Sequence, residues 1–254
     1  MIMKLNVHFS SNHLDELYFT GKTTVVIDVL RATTVIVTAL NNGAREVIPV
    51  STVDFAMKIS GNAFSGQTLL GGERNTKKVE GFQLGNSPLE YKAEIVAGKS
   101  IVLHTTNGSK AIVKAKFSES LFICCFHNLP AVAQHLVLLG KDVEIVCAGT
   151  SGSFNLEDAV CAGRLIAEIQ SLIATEICDS GRASVMLNKS FGKNLNKLLK
   201  ETEHGKLLIE NEFTEDIKEC AKYGITDTIP YYVSGVIKRL EPANPNDNKE
   251  LKAS

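Results

Sequence analysis

The sequence predicts an α/β protein with a layered, largely parallel central sheet flanked by helices and a helix-rich C-terminal part. Three observations carry this. Short β-branched runs alternate with segments of helical length. The strand-like runs are apolar almost without interruption, as expected for strands covered on both faces. The chain has 254 residues, 44% hydrophobic and 22% charged, which suits a soluble protein with a sizeable core.

Taken in order, Met1 to Val7 reads as a first strand. The runs at 24–28, 46–50, 100–103, 121–124 and 143–147 read as buried strands, rich in Val, Ile and Leu. Helical segments fall near 33–42, 52–60, 88–97, 107–116, 128–139 and 155–177. Two longer helices are expected at 184–202 and 203–223, with Gly192, Gly205 and Gly224 as punctuation, then a short strand at Pro230 to Val233. No linker interrupts the first 240 residues, so a single domain over 1–240 is expected. A helical subdomain at 181–228 is the other division, and 241–254 reads as a polar tail.

Composition narrows the function. Lys plus Arg is 27 against 28 acidic residues, a formal charge of -1, so no broad nucleic-acid or membrane-binding surface is expected. The absence of Trp and the presence of only five Tyr disfavour base-stacking platforms. No apolar run is long enough for a membrane span, and the N-terminus lacks the order of a signal peptide. The six cysteines form no C-x-x-C pair, so reduced core thiols in a cytoplasmic protein are expected. A Walker loop, a G-x-S-x-G elbow, a dinucleotide-binding glycine motif and zinc-type histidine spacing are all absent.

In an open α/β sheet, ligands bind beyond the carboxyl ends of the strands. Four junctions there are polar. In the first, Asp28 ends an apolar strand and is followed by Arg31, Thr33 and Thr34. A carboxylate in that place needs a cation: either Arg31 as an ion-pair partner or a metal. Thr33 and Thr34 suit a helix start. In the second, Gly71-Gly72-Glu73-Arg74 combines close backbone approach with two opposite charges. Downstream, Asn86-Ser87-Pro88 precedes Glu90, which suits a capping box with Ser87 as the cap. In the third, Thr105-Thr106-Asn107-Gly108-Ser109-Lys110 lies between a strand and a helix and offers N–H groups, hydroxyls and a lysine to an anion. The alternative is an ordinary capped helix with a surface lysine. In the fourth, Asn155 is placed to cap a helix whose first turn holds Glu157 and Asp158, one suited to capping contacts and the other to a cation. Carboxylates and anion donors at one rim suit Mg²⁺ with a phosphorylated substrate.

These same residues resemble the 2-phosphosulfolactate phosphatases of coenzyme M biosynthesis. The matching text is residues 26–34, Gly72-Glu73-Arg74, residues 81–88, residues 105–109, and Ala148-Gly149-Thr150 with residues 156–163. His204-Gly205 and Pro230 match more weakly. The resemblance spans about residues 3 to 240. It implies an α/β fold of the family's own and a Mg²⁺-dependent phosphatase that converts 2-phospho-3-sulfolactate to 3-sulfolactate and phosphate. It implies catalytic roles for Asp28, Arg31 and Glu73, and metal binding by Asp28, Glu73, Glu157 and Asp158. It implies anion binding by Arg31, Thr33, Arg74, Thr106, Asn107, Gly108 and Ser109; Asn86, Ser87 and Lys110, in or beside those motifs, are further candidates for substrate binding. The chain departs from the family pattern at Asn75, Lys77, Lys78, Gln83 and His104. Two other functions stay open: phosphatase action on another small phosphorylated 2-hydroxy acid, and non-catalytic anion binding. A homo-oligomer is the default expectation for such a protein.

Overall fold

The computed structural model describes residues 2–62 and 67–241. Nearly all of the expected polar tail, 242–254, lies outside the described residues. The elements in order are β1 (Met3–His8), β2 (Thr23–Ile27), α1 (Ala32–Asn41), β3 (Glu46–Val50), α2 (Val53–Asn62), β4 (Thr68–Arg74), β5 (Lys77–Lys78) and α3 (Ala93–Val96). Then come β6 (Ser100–His104), α4 (Gly108–Lys114), β7 (Ser120–Cys124), α5 (Leu129–Leu139), β8 (Val143–Cys147), α6 (Leu156–Leu172) and β9 (Thr175–Ile177). The chain closes with α7 (Asp179–Phe191), α8 (Leu195–Glu201), α9 (Glu203–Glu210), α10 (Thr214–Cys220), β10 (Pro230–Val233) and β11 (Val236–Arg239).

The strands form one 11-stranded sheet in the order β5-β4-β6-β3-β11-β10-β7-β2-β8-β1-β9. Two parallel groups, β4-β6-β3 and β7-β2-β8-β1-β9, are joined by the C-terminal hairpin β10–β11 through antiparallel pairings. The last strands to be synthesised therefore sit in the middle of the sheet.

The apolar runs have the cause expected for them. Along β2, Val25 and Ile27 pack with α5, α6 and the C-terminal helices, while Val26 packs on the other side with α1 and α4. In β7, Phe122 and Cys124 take the first side and Leu121 and Ile123 the second. Both faces are buried, so period-two alternation is absent. All six cysteines are free thiols, five of them buried.

Three expectations change. The stretch with Gly71 and Gly72 before Arg74, not among the expected strands, is a strand, β4. The helix expected to reach residue 177 stops at Leu172, and Thr175–Ile177 pairs with β1 as an edge strand. The two long helices expected after residue 184 are four shorter ones, because Asn194 and Thr202 cap new starts at Leu195 and Glu203.

Candidate functional site

The carboxyl ends of β2, β4 and β6, the segment at Asn86 and the start of α9 converge on one cleft. Asp28, Leu30, Arg31, Glu73, Thr76, Asn86, Thr105, Asn107 and His204 line it. Its centre is Asp28, one residue past β2 and buried. The Asp28 N–H donates to Thr33 Oγ1 at 3.1 Å, and the Thr33 hydroxyl donates back to Asp28 O at 2.8 Å. Ala32 N–H donates to Asp28 Oδ1 at 3.2 Å. The other carboxylate oxygen, Oδ2, faces Gly108: a Cβ there would sit 2.5 Å from it and 2.5 Å from Ala32 Cβ. Only glycine lets the 105–109 loop close onto the carboxylate.

Arg31 does not pair with Asp28. Its Nη1 donates to Asp216 Oδ2 at 2.6 Å, its Nη2 donates to Thr76 O at 2.9 Å, and the guanidinium stacks on Phe213 at 4.2 Å. Ser87 Oγ donates to Asp216 Oδ1 at 2.7 Å and makes no cap bond; Glu90 instead accepts from Gly85 N–H. The region expected as a helix at 88–97 is a 3-10 turn at Pro88–Glu90 followed by α3. Thr33 and Thr34 likewise make no cap bond; their hydroxyls donate to Asp28 O and Val29 O.

Glu73, next to last in β4, has both oxygens occupied, by Thr76 N–H at 2.8 Å and Thr106 N–H at 2.7 Å. The turn that presents Thr76 runs through Asn75 and Thr76, both at positive φ (54° and 69°). Asn tolerates that conformation well, which accounts for Asn75 in a tight hairpin; for β-branched Thr76 it is costly. On the same strand Gly72 has a φ of +136°, and a Cβ there would lie 1.8 Å from His104 O. That contact sets β4 against β6 just before Glu73.

Asp158 takes the role expected for one acid of its pair. Asn155 caps α6, accepting from Asp158 N–H at 3.2 Å. The Asp158 carboxylate accepts from Val29 N–H at 2.8 Å, Gly149 N–H at 3.3 Å and Asn155 Nδ2 at 3.0 Å. It thereby ties the loop after β8 to the loop after β2. Glu157 is also buried, and its Oε1 meets no partner.

These carboxylates raise one another's proton affinity. Burial holds the Asp28 carboxyl well above the usual carboxylate range, and the negative charges of Asp158 and Glu73 add to this. Glu157 and Asp158 are pushed up in the same way, by burial first, with charge repulsion from Asp28 acting on Glu157 and from Glu157 on Asp158. Hydrogen bonds from Ala32, Val29, Asn155 and Gly149 offset part of that cost.

The remaining expected residues divide. Arg74 and Lys110 are exposed cations close enough to lower the proton affinity of buried His104. Asn86 Oδ1 and Thr106 Oγ1 are buried without a partner, as are Thr76 Oγ1 and Arg31 Nε. Asn107 Oδ1 accepts from Ser151 N–H, and Ser109 is wholly internal, donating to Val50 O and Thr105 O. Thr76, Asp216 and His204 were not singled out as site residues by sequence reasoning. Asp216 gives no local signal, being an acid in the first turn of an ordinary helix. His204 had one: an unusual His-Gly pair at a capped helix start.

Among the described residues, no three His, Cys, Asp or Glu side chains gather to hold a metal ion by themselves. The oxygen donors nevertheless fit Mg²⁺, which needs only one or two carboxylates and keeps water and substrate oxygens as its other ligands. Unpartnered Glu157 Oε1 and the mutual repulsion around Asp28 are what a bound divalent cation would relieve.

An α/β sheet whose strand ends bring buried acids and a buried arginine to one cleft has the form of an enzyme that handles small anions. A model of the family described as 2-phosphosulpholactate phosphatase matches residues 9–235. A probable 2-phosphosulfolactate phosphatase of Caldanaerobacter subterraneus subsp. tengcongensis is 42% identical over 236 residues, 93% of this chain and 98% of the relative. Proteins of the same description are 39% identical in Clostridium tetani (93% of this chain, 100% of the relative) and 36% identical in Clostridium perfringens strain 13 (94% and 97%). The chain belongs to the 2-phosphosulfolactate phosphatase family and is thus a phosphoric monoester hydrolase. No helix among the described residues is long and apolar enough to cross a membrane.

Proposed function

We propose that this chain is a Mg²⁺-dependent phosphatase that hydrolyses 2-phospho-3-sulfolactate to 3-sulfolactate and phosphate at the Asp28 cleft. The observation that carries this reading is the buried group Asp28, Glu157 and Asp158, whose proton affinities are raised by burial and by one another's charge, with Glu157 Oε1 left without a partner. Asp28 and Glu157 would hold Mg²⁺, with Glu73 and Asp158 completing the negative field and fixing the loops. Bound there, the ion would neutralise charge on the phosphoryl oxygens.

The substrate carries about three to four negative charges at neutral pH. Arg31, held flat by Phe213 and anchored by Asp216, is a positive charge fixed inside the cleft. Arg74 and Lys110, both exposed, would meet the carboxylate and sulfonate. Asn86, Thr106, Asn107 and the backbone beside Gly108 supply polar contacts to the phosphoryl group, while Thr33, Ser87 and Ser109 hold those loops in shape.

The deciding assay is phosphate release from 2-phosphosulfolactate, 2-phospholactate and phosphoglycolate, with Mg²⁺ and with EDTA. Mg²⁺-dependent release with the sulfonated acid preferred is the expected result. Preference for another ester would keep the reaction and replace the substrate. No release from any ester would leave an anion-binding protein.

A further inference from the structure

His204 differs from the other buried and half-buried histidines. His8 meets Glu144 and Tyr18, His104 meets Val50 O, His127 meets Glu219 O, and the His135 ring packs against Phe122. The half-buried His204 ring has no hydrogen-bond or ion-pair partner among the described residues, yet it lines the Asp28 cleft. It also lines a neighbouring open pocket of about 260 Å³, with Thr150, Phe154, Glu157 and Thr202. Its position is fixed from behind: Thr202 caps α9 by accepting from Gly205 N–H at 3.1 Å. A Cβ on Gly205 would strike Leu199 O at 1.6 Å.

The ester oxygen of an alkyl phosphate leaves as a strongly basic alkoxide, so cleavage calls for a proton donor. The groups lining the cleft leave little choice. Arg31 does not release its proton, the Thr and Asn side chains are not acids, and the Asp28 and Glu73 carboxylates belong to the cation and the loop. We propose that His204 is the catalytic residue that touches the leaving oxygen of the substrate and hands it a proton. This rests on the phosphatase reading of the cleft.

As the ester P–O bond breaks, its electron pair goes to the leaving oxygen, which takes the His204 ring proton and departs as the alcohol. The attacking water forms the new P–O bond and releases one proton. The ring recovers a proton through the adjoining open pocket. Burial and the Arg31 charge hold the empty ring toward its neutral form, and a phosphate dianion beside it favours the protonated one.

The test compares two esters of one framework, 2-phospholactate and its 3,3,3-trifluoro analogue, whose leaving alcohol is far more acidic. kcat/KM is measured for the wild type, His204→Asn and His204→Gln. Both variants should lose roughly 10²–10³-fold on the lactate ester and about tenfold or less on the trifluoro ester. The ratio of the two losses does not depend on the fraction of enzyme that is folded. Equal losses on both esters, or none, would overturn the role of His204. A wild type inactive on both esters and on 2-phosphosulfolactate would overturn the phosphatase reading itself.

Discussion

Glu144 and the Asp28 group are two buried acidic regions on neighbouring strands, and they are built in opposite ways. Glu144, in mid-β8 and paired in register with Thr24 of β2, accepts from Asn6 Nδ2 at 3.1 Å, Tyr18 OH at 3.0 Å and Lys22 Nζ at 3.2 Å. His8 Nε2 lies 2.8 Å away. Burial alone would raise its pKa, but these donors outweigh burial and hold it at about 2. Past the ends of the same two strands, Asp28 after β2 and Glu157 and Asp158 in the first turn of α6 are buried with neutral donors only, and their proton affinities rise. Arg31 is the nearby cation, and its closest ionic contact is Asp216. A structural carboxylate is neutralised by its own protein. The site carboxylates are left short of positive charge, and a ligand can supply it.

The largest expected effect breaks the site side of this comparison. Asp28→Asn keeps the shape and removes the central charge, so turnover should fall roughly 10³-fold or more. The thermal midpoint should stay level or rise, because buried repulsion is relieved. Phosphate release and a melting curve on the same preparation check both. A near-normal rate would remove Asp28 from the chemistry.

The same contrast explains what the sequence could show. Strands buried on both faces announce themselves as apolar runs, so β2, β3, β6, β7 and β8 were legible, and so was the α/β class. Asp28 stood out because it interrupts such a run, and Asn155 because caps have a local grammar. Residues whose partners lie far along the chain were not legible. Asp216 reaches Arg31 across 185 positions and Ser87 across 129, and nothing beside it in the sequence marks it. The Arg31–Asp28 pair and the Ser87 cap were reasonable local solutions, and a long-range contact replaced both. Glu144 was invisible for the same reason: its four partners are all 122 or more residues away.

Glu144→Gln sharpens the structural side. The folded pKa of about 2 lies below the ordinary 4.5, so the carboxylate contributes stability that is fully present above about pH 4.5 and is lost as pH falls toward 2. The variant should be about 2 kcal/mol less stable at pH 7, and the difference should close near pH 2. Denaturant unfolding across that range measures it, with turnover per folded molecule unchanged. A constant difference at all pH values would mean that packing, not charge, is what Glu144 contributes.

The smallest effect has the opposite sign. Glu157 Oε1 is buried without a partner, and the bonds from Thr202 and its own N–H do not offset burial and the Asp28 charge. Removing that charge should stabilise the metal-free protein by about 1 kcal/mol. Glu157→Gln should therefore melt higher than the wild type in EDTA, although it loses activity. Added Mg²⁺ should raise the wild-type midpoint, since binding to the folded state alone stabilises it. The variant should respond less, so the order of the two midpoints closes or reverses. A variant less stable in EDTA would place Glu157 with Glu144, among the carboxylates that hold the fold.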